Sequence, residues 1–271
     1  MPDDYYKIRK LSNSALTCLA QNPMEFKMRY VDDPPTLPPR ESDAFAFGSA
    51  VHCLALEPEK FDDRFAIAPK VDRRTKEGKA TYEAFQRFSE GKQVLDSGEY
   101  DDVIACVQAL NSHADFAKIM LQPKRVEESI EFDFAGHPFK CKPDAIVDSM
   151  RLILDIKTTQ DCAPHKFKWS ALDYGYHRQA ALYRHAVESS TKQEYQFIFA
   201  VVEKPTASTR GIPPTMALYR LDDAAMKQGW DDLNRLVQEY DHRIETNDWL
   251  QPYSKGIGSL ALPPARVYTE G

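Results

Sequence analysis

The sequence contains no apolar run approaching the ~18 residues that a membrane-spanning helix needs, and its opening MPDDYYKIRK lacks the apolar stretch of a secretory signal. A cytoplasmic location is expected. Cysteine is sparse, and the five present, Cys18, Cys53, Cys106, Cys141 and Cys162, are odd in number, scattered and free of any C-x-x-C pair. That argues against a disulfide framework and against structural zinc, and casts them as reduced packing residues. Internal repeats and low-complexity tracts are also missing. So is any excess of positive charge: the formal net charge is −6. This speaks against coating nucleic acid through a broad basic surface, but not against binding it in a groove or channel where the field is focused.

What remains is a chain of 271 residues, 42% of them hydrophobic, enough to bury a core as one large domain or a domain with a helical annex. Leu11 to Tyr30 carries apolar residues at helical spacing, with Ser12 as a cap and Pro23 dividing the helix in two. The proline-rich DDPPTLPP that follows is a linker, since proline lacks the amide a helix needs. Ser42 to Leu56 predicts a helix with Ala44, Phe47, Val51 and Leu54 on one face and Gly48, Ser49 and His52 on the adjacent one. Thr75 to Asp96 and Glu99 to Leu121 read as two more helices, which makes residues 1–123 mainly helical. The pattern then changes to alternation: Ile130, Phe132 and Phe134, then Phe139 to Val147 and Leu152 to Lys157, a meander of three strands. Helix is expected over Leu172 to Ser189 and Asp222 to Asp248, and strand over Tyr195 to Val202 and Thr215 to Leu221. The catalytic sheet would occupy residues 124–221 of a single domain spanning 1–271.

The chemistry concentrates in the strand Leu152 to Lys157, whose period of two turns Leu152, Leu154 and Ile156 to one face and Ile153, Asp155 and Lys157 to the other. A tight hairpin about Ser149-Met150 pairs residues whose numbers share one sum, which sets Asp144 opposite Asp155. Carboxylates so placed lie ~5 Å apart at Cβ and repel. A divalent cation resolves the repulsion, because Mg²⁺ accepts one or two carboxylates and completes its shell from water and phosphate. The main-chain carbonyl of Ile156 is placed as a further ligand, and Lys157 to orient an attacking water. A solvated hairpin with an Asp/Lys pair is the plainer account of the same residues.

Pro143-Asp144 followed by Asp155-Ile156-Lys157 resembles the PD-(D/E)xK nuclease signature. LSNSALTCLAQNPMEFKMRY is similar to the leading helix of RecB-like nucleases, FGSAVHCLALEP to their histidine motif, and YHRQAALYRHA to their Q-x-x-x-Y motif. The order is that of RecE-type phage recombination exonucleases, over Leu11 to about Val202. The resemblance implies an α/β (α+β) core with a mixed central sheet flanked by helices. It also implies that Asp144, Asp155 and His52 bind metal, that Lys157 is catalytic, and that Gln179 and Tyr183 flank the site. Taken singly, His52 also suits a packed helix histidine, and Gln179 and Tyr183 an ordinary amphipathic helix, with Tyr176 one turn earlier on the same face. Some RecB-like nucleases hold an iron–sulfur cluster; here Asn22-Pro23 replaces the first Cys-Pro and no cysteine follows Cys162, so no cluster is expected.

The expected activity is Mg²⁺-dependent resection of linear duplex DNA, with Mn²⁺ as a substitute. The resemblance gives it 5′ to 3′ polarity, a 3′ single strand handed to a phage-type annealing protein, and a ring of identical subunits, a trimer. Lys140, Lys142, His165, Lys166, Lys168 and Arg178 would face the passage. Ser12, Ser14 and Arg29 are candidates for the terminal phosphate, with Tyr176 and Arg178 as further DNA contacts; Ser12 equally suits a cap and Arg29 a surface charge. A structure-specific or restriction-like endonuclease would carry the same core motif. A metal-free DNA-binding or assembly module would require altered site residues, and these are intact.

Overall fold

The computed structural model describes residues 10–37, 43–251 and 257. Helix α1 (Asn13–Gln21) begins at Ser12, whose side chain accepts from the Ala15 amide, and Pro23 opens α2 (Pro23–Phe26), which continues as a π-helical turn over Lys27–Val31. The expected cap and break are both present. Next come α3 (Asp43–Leu56), α4 (Phe61–Arg64), β1 (Phe65–Ile67), α5 (Lys76–Phe88), β2 (Gln93–Leu95), α6 (Ser97–Ser112) and α7 (Ala114–Met120). The long helix expected over Thr75 to Asp96 therefore stops at Phe88. Its last residues form β2, which pairs in parallel with β1, a long-range contact that helical periodicity cannot register. Phe88, the last residue of α5, is exposed.

The remaining elements are β3 (Arg125–Val126), β4 (Ile130–Phe134), β5 (His137–Cys141), β6 (Ala145–Val147), β7 (Leu152–Thr159), α8 (Pro164–Asp173), α9 (Tyr176–Thr191), β8 (Gln196–Glu203), β9 (Met216–Arg220) and α10 (Asp223–Thr246). Five strands form a mixed sheet in the order β3-β6-β7-β8-β9, in which only β7 and β8 run parallel. The expected three-strand meander is corrected here. The chain breaks at Lys142 to Asp144, so β4 and β5 make a separate two-stranded sheet and β6 joins β7 in the main one. Pro143 sits in that break, where the ladder has no use for the donor proline lacks. The helix expected over Leu172 to Ser189 is likewise two helices, parted at Gly175, whose φ is 67°; α8 starts well before it at Pro164.

Three apolar clusters hold this arrangement. Leu152, Leu154 and Ile156 pack with Phe47 and Val51 of α3 and Val103 and Leu110 of α6. Ile153 and the β8 residues Phe197, Phe199 and Val201 pack with Phe167 of α8 and Ala180 and Val187 of α9. Strand β7 is thus buried on both faces, which explains its nearly unbroken apolar run. The third cluster joins Leu16, Leu19 and Phe26 to Phe139 of β5 and Leu233 and Leu236 of α10. All five cysteines are free and buried. Among the described residues no helix is long and apolar enough to cross a membrane.

Candidate active site

The β6–β7 hairpin sets the geometry. Its register is Ala145↔Leu154, Ile146↔Ile153 and Val147↔Leu152, around a turn at Asp148–Met150 closed by Arg151 in the left-handed region. The next step of that register is Asp144 opposite Asp155, as the shared sum of residue numbers requires. Asp144 does not continue the ladder. Its Oδ2 turns inward and accepts from the Ile156 amide at 2.6 Å.

Helix α3 brings His52 to this point, with Nδ1 3.2 Å from Asp144 Oδ2. Lys157 Nζ lies 2.5 Å from Asp155 Oδ1, and Gln179 of α9 donates to Asp155 Oδ2 at 2.8 Å. The Tyr176 ring lies beneath the ammonium, 4.6 Å from Lys157 Nζ. His52, Asp144, Asp155, Ile156, Lys157, Tyr176 and Gln179 are therefore one constellation, assembled from α3, the β6–β7 hairpin and α9. Tyr183 stands one turn beyond Gln179 and packs against Phe197 with ring centroids 6.2 Å apart.

The other candidates lie elsewhere in the chemistry of the chain. Ser12 is buried as the α1 cap, and its hydroxyl is 3.0 Å from that of Ser14. Arg29 donates to Glu25 at 2.8 Å one turn away. Arg178, expected at a DNA surface, is buried instead, donating to Asn13 at 3.2 Å and Thr17 at 2.8 Å and so tying α9 to α1. Lys140 is buried as well, in the strand that pairs with Leu11. These two corrections share a cause: β5 and α9 pack on the N-terminal helix, a contact that charge patterning does not reveal.

One residue was not anticipated. Glu127 leaves β3 with φ 52°, its amide donating to the Asp144 carbonyl at 3.1 Å, its carboxylate paired with Lys142. Ligand atoms of His52, Glu127 and Asp144 all lie within 4.8 Å of one another. No motif marks Glu127. The only signal was its place just ahead of the alternating strand that leads to the hairpin.

The electrostatics follow from burial. For Asp144 burial opposes ionisation, but the His52 imidazole, Lys157 and the Ile156 amide outweigh it and hold the carboxyl below its ordinary range. Asp155 is 1% exposed; burial pushes it up to about 6, reinforced by Asp144 and opposed by Lys157. For His52 burial favours the neutral ring, yet Asp144 raises its pKa above the usual value. Lys157 is also raised, because Asp155, Tyr176 and Asp144 together overcome the cost of its burial. A divalent cation suits these donors. An imidazole and carboxylates converge, with ligand atoms of His52, Glu127 and Asp144 clustered beside the buried Asp155.

A mixed sheet sandwiched by helices, with a hairpin that presents Asp144 beside Asp155-Ile156-Lys157, defines the PD-(D/E)xK nuclease class of fold. Within that class the chain belongs to the family described as PDDEXK-like domain of unknown function (DUF3799), whose model matches residues 12–253. Among solved structures it is similar to a proposed exonuclease of Eubacterium rectale, at 14% identity and a TM-score of 0.60, covering 94% of this chain and 91% of that one. A phage-related exonuclease from Haemophilus somnus 129PT aligns at 18% identity and TM-score 0.36 over 73% of this chain and 95% of that one. An alkaline exonuclease from Laribacter hongkongensis aligns at 16% identity and TM-score 0.29, over 75% and 95%. Comparison with curated proteins finds no match.

Proposed function

We propose that this chain is a divalent-metal-dependent exodeoxyribonuclease that resects linear duplex DNA from its ends. The observation that carries the reading is the convergence of His52, Asp144, Asp155 and Lys157 at the end of one buried hairpin. His52, Asp144 and Asp155, with the Ile156 carbonyl, would hold Mg²⁺, or Mn²⁺ in its place, and Glu127 adds a carboxylate on the His52 side. When bound, the cation lowers the pKa of water and stabilises charge on the phosphoryl oxygens. Lys157, steadied by Asp155 and Tyr176, holds a proton-bearing ammonium toward the reacting phosphate and water. Gln179 fixes the Asp155 carboxylate from behind, so the lysine and carboxylate keep their relative orientation.

The exonuclease reading, the 5′ to 3′ direction, the 3′ single strand, the annealing partner and the trimeric ring draw support from the RecE-type motif order. A ring also reconciles a net charge of −6 with a polyanionic substrate, since a closed passage focuses the field of the basic groups it contains. Digestion of duplexes labelled at one or the other 5′ end, beside covalently closed circles, tests the assignment. Early release of 5′-terminal nucleotides with circles untouched is expected. Cleaved circles would assign an endonuclease instead.

A further inference from the structure

Helix α8 ends at Asp173 and α9 begins at Tyr176, and the link between them carries an exposed ring beside the lysine. Tyr174 is 59% exposed. Its ring stacks on that of Tyr176 with centroids 5.7 Å apart and planes inclined by 28°. Tyr176 in turn lies under Lys157 Nζ at 4.6 Å and packs on Phe167 and Phe199. A continuous aromatic path thus runs from the lysine to solvent.

The backbone that carries the outer ring is closely constrained. Gly175 has φ 67°, and a Cβ there would stand 2.2 Å from the Arg178 guanidinium, itself fixed by Asn13 and Thr17. The Tyr174 amide donates to Ser170 at 3.0 Å and that of Gly175 to Leu172 at 3.1 Å. A flat aromatic face, stacked on Tyr176, is therefore presented to solvent one ring removed from Lys157. Lys166 and Lys168 on α8 are exposed as well.

We propose that Tyr174 is a stacking platform for a DNA base, that of the nucleotide next to the phosphate presented to Lys157. The inference rests on the nuclease reading and deepens it. The terminal base of a duplex has one free π face, and a base that leaves the stack has two, so the end-most nucleotide is the one that can lie on Tyr174. Every base has a π face, so the contact positions the substrate without selecting sequence.

The test uses the full chain carrying Asp155→Asn, so that DNA is bound without turnover, and duplexes with 2-aminopurine at one or the other terminal nucleotide. With Tyr174 intact, binding should quench the fluorescence at one of the ends. Tyr174→Phe should quench equally, because the ring and not the hydroxyl stacks. Tyr174→Ala should abolish the quenching and weaken binding by about tenfold, the scale of one lost base–aromatic contact. Circular dichroism checks that each variant is folded. Unchanged quenching and affinity in Tyr174→Ala would overturn the inference. So would dissociation of an oligomer by that change with quenching preserved, which would place the ring between copies of the chain. If the variant with Tyr174 intact binds no DNA and the wild-type chain cleaves none, the nuclease reading falls and this inference with it.

Discussion

Asp144 and Asp155 stand one register step beyond the last paired residues of the β6–β7 hairpin, and their carboxyls are driven in opposite directions. Burial opposes ionisation of both. For Asp144, the His52 ring, Lys157 and the Ile156 amide more than compensate. For Asp155, burial prevails and raises it to about 6. Asp144 is thus ionised well below neutral pH, whereas Asp155 takes up a proton near pH 6.

Cation affinity should therefore depend on pH. Asp155, with its raised pKa, is protonated below about 6, and His52 is raised in the same sense. Both must lose a proton to act as ligands, so Mn²⁺ affinity should fall by about tenfold or more for each pH unit below that point. Calorimetric titration of the wild-type chain from pH 8 to pH 5 reads this directly. A flat profile between pH 7 and pH 5 would remove Asp155 and His52 from the ligand set.

Lys157→Ala should act on stability as well as on turnover. It leaves the Asp155 carboxylate buried without its counter-ion, a change that typically costs about 3 kcal/mol. Without Lys157, the Asp155 pKa should rise further, so the loss is full at pH 8 and shrinks as pH falls and the carboxyl protonates. Thermal melts in chelator at pH 8 and pH 5 check the sign. Added Mg²⁺ should restore more stability to the variant than to the wild type, while turnover stays reduced by roughly a hundredfold or more.

Glu127→Gln separates the His52 side of the site from the Asp155 side. Losing one charged ligand should weaken Mn²⁺ binding by on the order of tenfold, the lower end for a perturbed metal site. The variant should fold normally. Equal affinity in wild type and variant would leave Glu127 as a partner for Lys142 alone.

Gly229→Ala tests the packing that carries α9 into the site. A Cβ on α10 at this position would lie 2.2 Å from the His177 carbonyl oxygen, where His177 also binds Asp232 at 2.9 Å. Forcing the helices apart should cost about 1–3 kcal/mol, read as a lower melting temperature. An unchanged melt would mean that α9 and α10 yield without penalty.

Much of this site was legible because the hairpin obeys a counting rule. Once Ser149-Met150 is taken as the turn, Asp144 must face Asp155, and the period of two puts Lys157 on the same side. The resemblance of YHRQAALYRHA to the Q-x-x-x-Y motif pointed to Gln179 and Tyr183, and helical spacing put Tyr176 on their face; Gln179 and Tyr176 meet the Asp155–Lys157 pair, while Tyr183 packs on Phe197. Glu127 was hidden because it reaches the site through an edge strand of two residues, Arg125–Val126, too short to leave a pattern. The break at Gly175 was hidden too, since a glycine inside a helical pattern is tolerated and the guanidinium that crowds it arrives from Arg178. The burial of Arg178 and Lys140 depends on contacts with α1 and Leu11 more than a hundred residues away.

The most direct measurement is hydrolysis of linear duplex DNA by the wild-type chain and by Asp144→Asn and Asp155→Asn, each in Mg²⁺ and in chelator. The wild type should cleave in Mg²⁺ alone, and either folded variant should lose at least about a hundredfold in rate. Full activity in chelator, or folded variants that cleave as the wild type does, would contradict the metal-dependent mechanism.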